Sequence, residues 1–232
     1  MGEIYRLQIS RDDLHDQLGQ GIPAGTITIM EGPDGSGKSA VLERMTYGFL
    51  QNKHSVTFIS TELTVKDFIS QMYSLDYPIA SSMLDGRLLY IPVYPLLGRS
   101  ADRRDFQGML MSSRDLYRSD VIIIDTFSSL ISNSLRGEEN SIMLLSFFKK
   151  LAGMGKSIML AADPAELKNG TLQPFESDSH IFLNMVVTQV AGMISRSIVV
   201  KRFANTQFRV APIIGFRIEP NIGMVIEITS VV

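Results

Sequence analysis

One short stretch, IMEGPDGSGKSAV at residues 29–41, constrains this chain more than any other part of its sequence. It matches the phosphate-binding loop pattern G-x-x-x-x-G-K-[ST], from Gly32 to Gly37, Lys38 and Ser39. The run GTITIM (25–30) before it is β-branched and apolar, as a buried strand should be, and apolar residues recur at helical spacing after it. The sequence therefore predicts a strand, a phosphate loop and a helix in succession.

The chemistry of phosphate binding explains these residue types. Glycines let the backbone approach a phosphate closely, so the N–H groups of residues 34–39 can point inward, and the helix start adds free N–H groups and a positive dipole end. Lys38 can reach the β- and γ-phosphates, and the Ser39 hydroxyl can ligate Mg²⁺. We therefore predict a site for a nucleotide and Mg²⁺, with a nucleotide-binding segment made of Gly32, Pro33, Asp34, Gly35, Ser36, Gly37, Lys38, Ser39 and Ala40. Asp34 is an unusual carboxylate for an anion-binding loop, and we expect its side chain to face solvent.

Composition narrows the classes of function. The chain has 232 residues, which suits one sizeable α/β domain, and we interpret residues 1–232 as a single domain. The formal net charge of −2 predicts no general attraction to nucleic acid or to anionic membranes. The absence of cysteine excludes disulfides, thiolate metal sites and cysteine nucleophiles. No signal-peptide core and no run of about 20 apolar residues is present, so we expect a soluble, intracellular protein.

The order of predicted elements indicates the fold class. Short β-rich runs alternate with helical patterns from residue 25 onward, which predicts an α/β fold with a parallel sheet flanked by helices. Residues 138–152 have a helical pattern with Ile142, Leu145, Phe148 and Leu151 on one side. From about residue 184 closely spaced strands follow one another, which predicts an antiparallel extension at the C-terminus. The predicted strands of the parallel core are GTITIM (25–30), SVTFIS (55–60), LLYIPVY (88–94), VIIID (121–125) and SIMLAAD (157–163).

Two acidic residues are candidates to complete the site. Asp125 ends the apolar strand VIIID, and the carboxyl ends of parallel strands are where phosphates and their metal ions bind, so we predict Asp125 as a metal-assisting residue. Many such enzymes carry a catalytic Glu directly after this Asp, but here that position is Thr126. The other common position is the end of the strand after the first helix, where FISTEL supplies Glu62. The alternative for Glu62 is a solvent-facing residue in the first turn of the next helix.

With these elements placed, the chain resembles a known family. LGQGIPAGTITIMEGPDGSGKSAVLERMTYGFLQNKHSVTFISTEL is similar to the start of a RecA/KaiC-type ATPase domain. More narrowly, YGFLQNKHSVTFISTEL, FISQMYSL and LLYIPVYPL resemble the FlaH (ArlH) family, the accessory ATP-binding proteins of the archaeal flagellum, or archaellum. The similarity runs through nearly the whole chain and is most specific over residues 18–97.

The resemblance implies a cytoplasmic RecA-like protein that can assemble into a ring. Such a protein docks on the motor ATPase FlaI beneath the polytopic membrane protein FlaJ, and so is recruited to the cytoplasmic face of the membrane. Nucleotide occupancy would control its role in assembling or regulating the motor. By the same matching, Glu62 is the candidate catalytic carboxylate, Asp125 assists the metal, and phosphate and Mg²⁺ are held by Gly32, Gly35, Gly37, Lys38 and Ser39.

Two departures from the family pattern bear on hydrolysis. KaiC-like proteins often place a Lys-x-Arg pair where it reaches the γ-phosphate of a neighbouring subunit, whereas here Lys201 and Arg202 are adjacent and face opposite sides of a strand. SIMLAAD ends in Asp163, where ring ATPases commonly place a neutral polar residue that senses the γ-phosphate. Because an arginine finger accelerates phosphoryl transfer by about 10³–10⁵, these departures predict ATP binding with at most slow hydrolysis.

A second hypothesis stays open at this point: a KaiC- or RadA-like ATPase that acts on nucleic acid or phosphorylates itself. Recombinases of this class bind DNA through loops that would correspond here to residues 132–140 and 166–178. Neither loop is notably basic, so a nucleic-acid partner is the less favoured interpretation.

Overall fold

The apolar runs of the sequence become the strands of one large sheet. The computed structural model describes residues 2–93, 106–132, 138–167, 170–190 and 193–227. The strands are β1 (Ile4–Tyr5), β2 (Ile22–Pro23), β3 (Ile27–Glu31), β4 (Val56–Ser60), β5 (Leu88–Pro92), β6 (Val121–Asp125), β7 (Ser157–Ala162), β8 (Ile181–Val190), β9 (Met193–Phe203), β10 (Ile213–Glu219) and β11 (Gly223–Glu227).

The helices fill the connections between these strands. They are α1 (Leu14–Gln17), α2 (Lys38–Gln51), α3 (Val65–Ser74), α4 (Ala80–Leu84), α5 (Phe106–Ser112), α6 (Phe127–Ile131), α7 (Glu138–Gly153) and α8 (Gln173–Asp178). Two short 3₁₀ helices cover Arg114–Tyr117 and Pro164–Glu166. Within the described ranges, no helix is both long and apolar enough to span a membrane.

The large sheet confirms the predicted fold class. Across the described residues, nine strands pair in the order β11–β10–β9–β8–β3–β7–β6–β4–β5. The strands from β8 to β5 in this order are parallel, whereas β8, β9, β10 and β11 pair antiparallel. β8 therefore belongs to both parts, and it joins the C-terminal extension directly to the strand that precedes the phosphate loop.

Helices cover both faces of the sheet, and two apolar cores result. Side chains alternate along β6, so that Val121 and Ile123 enter one core and Ile122 and Ile124 enter the other. The first core packs α2 and α3 against the sheet, and the second packs α6, α7 and α8. All five residues of β6 are buried, as expected for a parallel strand covered on both faces.

The structure differs from the sequence prediction at some positions. Of the four residues predicted on one side of this helix, Leu145, Phe148 and Leu151 are buried, whereas Ile142 is 49% exposed. β5 ends at Pro92, although the Val93 N–H still donates to the carbonyl oxygen of Ser60 at 2.7 Å, and Tyr94 of the predicted strand lies outside the described residues. Parts of the two loops compared with DNA-binding loops, residues 133–137 and 168–169, also lie outside them.

Strand register brings the predicted site residues to one edge of the sheet. Asp125 at the end of β6 lies opposite Ser60 at the end of β4, two residues before Glu62. On the other side, Glu31 at the end of β3 pairs with Ala162 at the end of β7. The carboxyl ends of the parallel strands thus converge beside the phosphate loop, where α/β proteins bind their ligands.

Candidate nucleotide-binding site

The phosphate loop lies between the end of β3 and the start of α2, and the structure explains why glycine is needed at two of its positions. Gly37 precedes α2 with a φ of 92°, in the left-handed region that favours glycine. A Cβ atom on Gly32 would lie 2.6 Å from the Cβ atom of Met185 on β8. The loop therefore approaches the neighbouring strand too closely for a side chain at Gly32.

Lys38, the first residue of α2, folds its side chain back onto the loop. Its Nζ donates hydrogen bonds to the carbonyl oxygens of Gly32 (2.8 Å) and Pro33 (2.9 Å), and the residue is only 8% exposed. The loop backbone thus holds a buried ammonium group at its mouth. This placement suits an interaction with the terminal phosphates of a nucleotide.

Asp34 is exposed, as expected, but its carboxylate is not free of the loop. Its Oδ1 accepts a hydrogen bond of 2.7 Å from the backbone N–H of Gly35. One of the amide groups that we expected to point at phosphate is therefore engaged by a negative side chain. A bound polyphosphate would have to share the loop with this carboxylate.

Asp125 and Ser39 meet beneath the loop. The Ser39 hydroxyl lies near the Asp125 carboxylate and favours its ionised form, and Oδ1 of this carboxylate is buried and has no hydrogen-bond partner among the described residues. An unpartnered buried carboxylate oxygen beside a hydroxyl matches the hard oxygen ligands that Mg²⁺ prefers, so these two residues fit a magnesium site. Burial raises the pKa of Asp125 to about 7; the negative charge of Glu62 adds to this shift, while Ser39 and Lys38 oppose it.

Glu62 lies at the edge of the same site. Its Oε1 accepts a hydrogen bond of 2.8 Å from the Thr126 hydroxyl, and its backbone N–H donates to Ser60 Oγ at 3.2 Å. Thr126, which occupies the position where many related enzymes carry a catalytic Glu, thus fixes the carboxylate that comes from β4. Glu62 is exposed, and its negative charge acts on the buried Asp125 carboxylate, so the two carboxyl groups belong to the same part of the sheet edge.

A third carboxyl group, which the sequence did not single out, lies within electrostatic range of these two. Glu43 on α2 is 1% exposed; its Oε1 accepts a hydrogen bond of 2.7 Å from Gln71 on α3, and its Oε2 has no partner among the described residues. Burial raises the pKa of Glu43 to about 8; the Gln71 hydrogen bond opposes this shift, and the charges of Asp125 and Glu62 add to it. Glu43 therefore stays protonated near neutral pH.

The residues that depart from the family pattern have other roles in the structure. Asp163 Oδ1 accepts a hydrogen bond from the N–H of Ala165 and caps the 3₁₀ helix that follows β7. The carboxylate of Asp163 is thus bound to the backbone of its own turn. Arg202 Nη1 donates to the carbonyl oxygens of Glu176, Ser177 and Ser179 at the end of α8, so Arg202 is engaged within its own chain. Lys201 is exposed on β9.

Sequence reasoning missed two residues that contact the phosphate loop, Arg196 on β9 and Phe216 on β10. Arg196 Nε donates to the carbonyl oxygen of Gly35 at 3.1 Å. The aromatic ring of Phe216 lies 3.2 Å from the point where a Cβ on Gly37 would be. No motif surrounds either residue, and only the order of strands in the sheet brings them to the loop.

The fold and the site together define a phosphate-loop protein with a RecA-like core. The parallel sheet has a strand, β7, between the phosphate-loop strand β3 and the Asp125 strand β6, as in that class. β3, which leads into the loop, β6, which ends in Asp125, and the C-terminal antiparallel strands all belong to the same sheet.

Comparison with known proteins agrees with this class and narrows it. The family model described as "ATPase: KaiC" matches residues 10–230. The archaeal flagellar ATP-binding protein FlaH of Methanocaldococcus jannaschii is 38% identical over 229 residues, covering 99% of this chain and 98% of the relative. The crystal structure of the flagellar accessory protein FlaH from the same organism superposes with a TM-score of 0.91, covering 98% of this chain and all of the other. A KaiC-like protein of Pyrococcus horikoshii, 17% identical, shares the fold with a TM-score of 0.74, covering 97% of this chain and all of the other.

The chain therefore belongs to the KaiC family of ATPases and, within it, to the FlaH family of archaeal flagellar ATP-binding proteins. The resemblance stated from the sequence is thereby confirmed.

Proposed function

We propose that this chain binds Mg²⁺–ATP in its phosphate loop and acts as a regulatory and assembly subunit of the archaellum motor. Nucleotide occupancy would control the formation of a ring and its docking to the motor ATPase FlaI, beneath the membrane protein FlaJ. The observation that carries the proposal is the arrangement of Lys38 folded onto the loop and of Ser39 near a buried Asp125 carboxylate that has an unpartnered oxygen. The names of the relatives, which describe archaeal flagellar ATP-binding proteins, supply the cellular context.

Each residue of the site has a distinct part in holding the nucleotide. The backbone N–H groups at the start of α2 receive phosphate oxygens, and Lys38 neutralises the β- and γ-phosphates. Ser39 and Asp125 would hold Mg²⁺, which when bound neutralises charge on the phosphates. All of these phosphate and metal contacts come from one chain.

Hydrolysis requires more than this chain supplies at its own site. Glu62 is held by Thr126 where it can orient a water molecule. Arg202, one of the two residues considered as a finger, is engaged by the end of α8, and Asp163 is engaged by its own turn. We therefore propose slow turnover, with the nucleotide acting mainly as a ligand.

Slow chemistry is compatible with a regulatory role. A binding switch needs a ligand with different affinities for two states, and a tenfold difference corresponds to about 1.4 kcal/mol. The site lies at the sheet edge beside β8 and β9, so occupancy can bias the strands of the C-terminal extension. Fast turnover would shorten the life of such a state and is not required for it.

The test compares turnover and partner binding in the same preparations. Purified wild type, Lys38→Ala and Glu62→Gln are assayed for steady-state ATP turnover and for binding to purified FlaI with ATP, with ADP and without nucleotide. The proposal predicts slow turnover, FlaI binding that depends on nucleotide in wild type and in Glu62→Gln, and loss of this dependence in Lys38→Ala. Robust turnover stimulated by DNA, together with FlaI binding that ignores nucleotide, would contradict it and favour an ATPase acting on nucleic acid.

A further inference from the structure

The C-terminal extension places an arginine directly against the phosphate loop. Arg196 and Phe216 are paired neighbours on β9 and β10. Arg196 Nε donates to Gly35 O at 3.1 Å, and its Cδ lies 3.5 Å from where a Cβ on Gly37 would be. The side chain thus runs along the loop from Gly37 to Gly35, with a strand and a buried aromatic ring behind it.

Among the described residues, the guanidinium group of Arg196 has N–H donors that are free to bind a ligand, whereas the guanidinium groups of Arg44 and Arg202 are bound within the chain. Arg44 is bound to Asp12, and Arg202 to the carbonyl oxygens at the end of α8. By contrast, within the part of the chain that the structure describes, Nη1 and Nη2 of Arg196 have neither a hydrogen-bond partner nor an ion-pair partner. Guanidinium groups bind phosphate with two parallel N–H···O bonds, which is why arginine recurs at phosphate sites.

We propose that Arg196 is a nucleotide-binding residue that donates Nη hydrogen bonds to the phosphates held by the phosphate loop of its own chain. This proposal rests on the proposed function, because it presumes that the loop binds a nucleoside triphosphate. It assigns the site a second positive side chain besides Lys38, one that comes from β9 in the same chain and not from a neighbouring subunit.

The proposal also assigns a role to the C-terminal strands. β9 pairs with β8 and with β10, and β8 pairs with β3, which leads into the loop. A phosphate bound by both the loop and Arg196 links β3 and β9 through the ligand as well as through the sheet. A bound nucleotide therefore contacts the C-terminal extension directly, through Arg196.

Two substitutions separate charge from hydrogen bonding to the loop. Arg196→Gln removes the charge and keeps an amide donor that can bond Gly35 O, whereas Arg196→Lys keeps the charge. Arg209→Gln, which removes an exposed arginine from the segment after β9, is the matched control. Isothermal titration measures the Kd of ATP and of inorganic tripolyphosphate, which lacks the base and ribose, and thermal unfolding without ligand measures stability.

We expect Arg196→Gln to raise the Kd of ATP and the Kd of tripolyphosphate by the same factor, ten- to hundredfold. Arg196→Lys keeps the charge but loses the two-pronged hydrogen bonding, so its affinity should lie between those of Arg196→Gln and wild type, and Arg209→Gln should bind as wild type does. An unchanged affinity in Arg196→Gln would overturn the proposal, as would a loss in Arg209→Gln as large as the loss in Arg196→Gln.

Two further results separate this proposal from the proposed function. In the first, wild type binds ATP, Lys38→Ala does not, and Arg196→Gln binds ATP as well as wild type does; only the proposal about Arg196 then fails. In the second, wild type binds neither ATP nor tripolyphosphate, and both proposals fail. A structure of the unaltered chain with a non-hydrolysable ATP analogue gives an answer even if Arg196→Gln does not fold. We expect a phosphate oxygen within hydrogen-bonding distance of Nη1 or Nη2, and a guanidinium turned away from the phosphates would overturn the proposal.

Discussion

Thr126 Oγ1 donates a hydrogen bond of 2.8 Å to Oε1 of Glu62 across the ends of two neighbouring strands. Thr126 is 4% exposed and follows Asp125 directly, so the hydroxyl is fixed by the same strand end that carries the metal-binding candidate. Thr126 thereby holds Glu62, the candidate to orient water, in a fixed position relative to Asp125, the candidate to hold Mg²⁺.

Removing this hydroxyl should slow hydrolysis without weakening binding. Thr126→Val deletes the donor and keeps the shape of the side chain, so Glu62 loses one of the interactions that orient it. The single-turnover rate of ATP hydrolysis should fall about tenfold, corresponding to about 1.4 kcal/mol, while the Kd of ATP stays within about twofold. Thr126→Ser, which keeps the hydroxyl, serves as the control. A Thr126→Val protein as fast as wild type would show that the bond does not position a catalytic group.

The carboxylate of Asp34 should oppose nucleotide binding. It is bonded to the N–H of Gly35, inside a loop that must receive a polyphosphate. Asp34→Asn removes the charge and keeps the acceptor, so the affinity for ATP should rise about two- to fivefold, the range expected for one exposed charge pair. Asp16→Asn, the same change on α1, should leave the Kd of ATP unchanged. Weaker ATP binding by Asp34→Asn would mean that the carboxylate supports the active loop conformation.

A buried ion pair attaches the N-terminal segment to the phosphate-loop helix. Arg44 on α2 and Asp12 are both almost fully buried and are joined by hydrogen bonds of 2.6 and 2.7 Å. Asp12→Ala leaves a buried guanidinium without its partner, so the free energy of unfolding should fall by about 3–5 kcal/mol in urea titrations. Asp76→Ala, which removes the partner of Arg11 in a more exposed pair, should change it by at most about 1 kcal/mol. Similar losses in the two variants would contradict the assigned burial.

Glu43 should make stability decrease as pH rises. Its pKa of about 8 in the folded chain lies above its ordinary value of 4.5, so the folded chain retains a proton that the unfolded chain loses. The stabilising contribution is complete below pH 4.5 and disappears as pH rises through about 8, with a slope of at most about 1.4 kcal/mol per pH unit. Glu43→Gln, which keeps the hydrogen bond with Gln71 possible, should flatten this part of the profile in urea titrations from pH 5 to 8.5. Parallel profiles for wild type and Glu43→Gln would exclude the raised pKa.

The parts of the site that the sequence predicts are the parts encoded locally. The phosphate loop is one continuous pattern, and Asp125 is marked by the apolar strand that it ends. Arg196 is 161 positions from Gly35, and only the pairing of β8 with β3 brings β9 to the loop, so no local signal could reveal the contact.

The periodic pattern of the sequence also could not predict which individual side chains are buried. Ile142 fits the helical spacing of Leu145 and Phe148, yet it is half exposed and the residue that enters the core near it is Leu144. Thr126 was recognised only as the absence of a glutamate. Its part in holding Glu62 depends on the spacing of β4 and β6, which the sequence does not specify.

The central claim is that the phosphate loop holds Mg²⁺–ATP, and isothermal titration of purified protein with ATP tests it most directly. Wild type and Lys38→Ala are titrated with and without Mg²⁺, with thermal unfolding as a check that both are folded. We predict binding by wild type that Mg²⁺ strengthens, and at least a hundredfold loss in Lys38→Ala. Equal ATP affinity in the two folded proteins would contradict the claim.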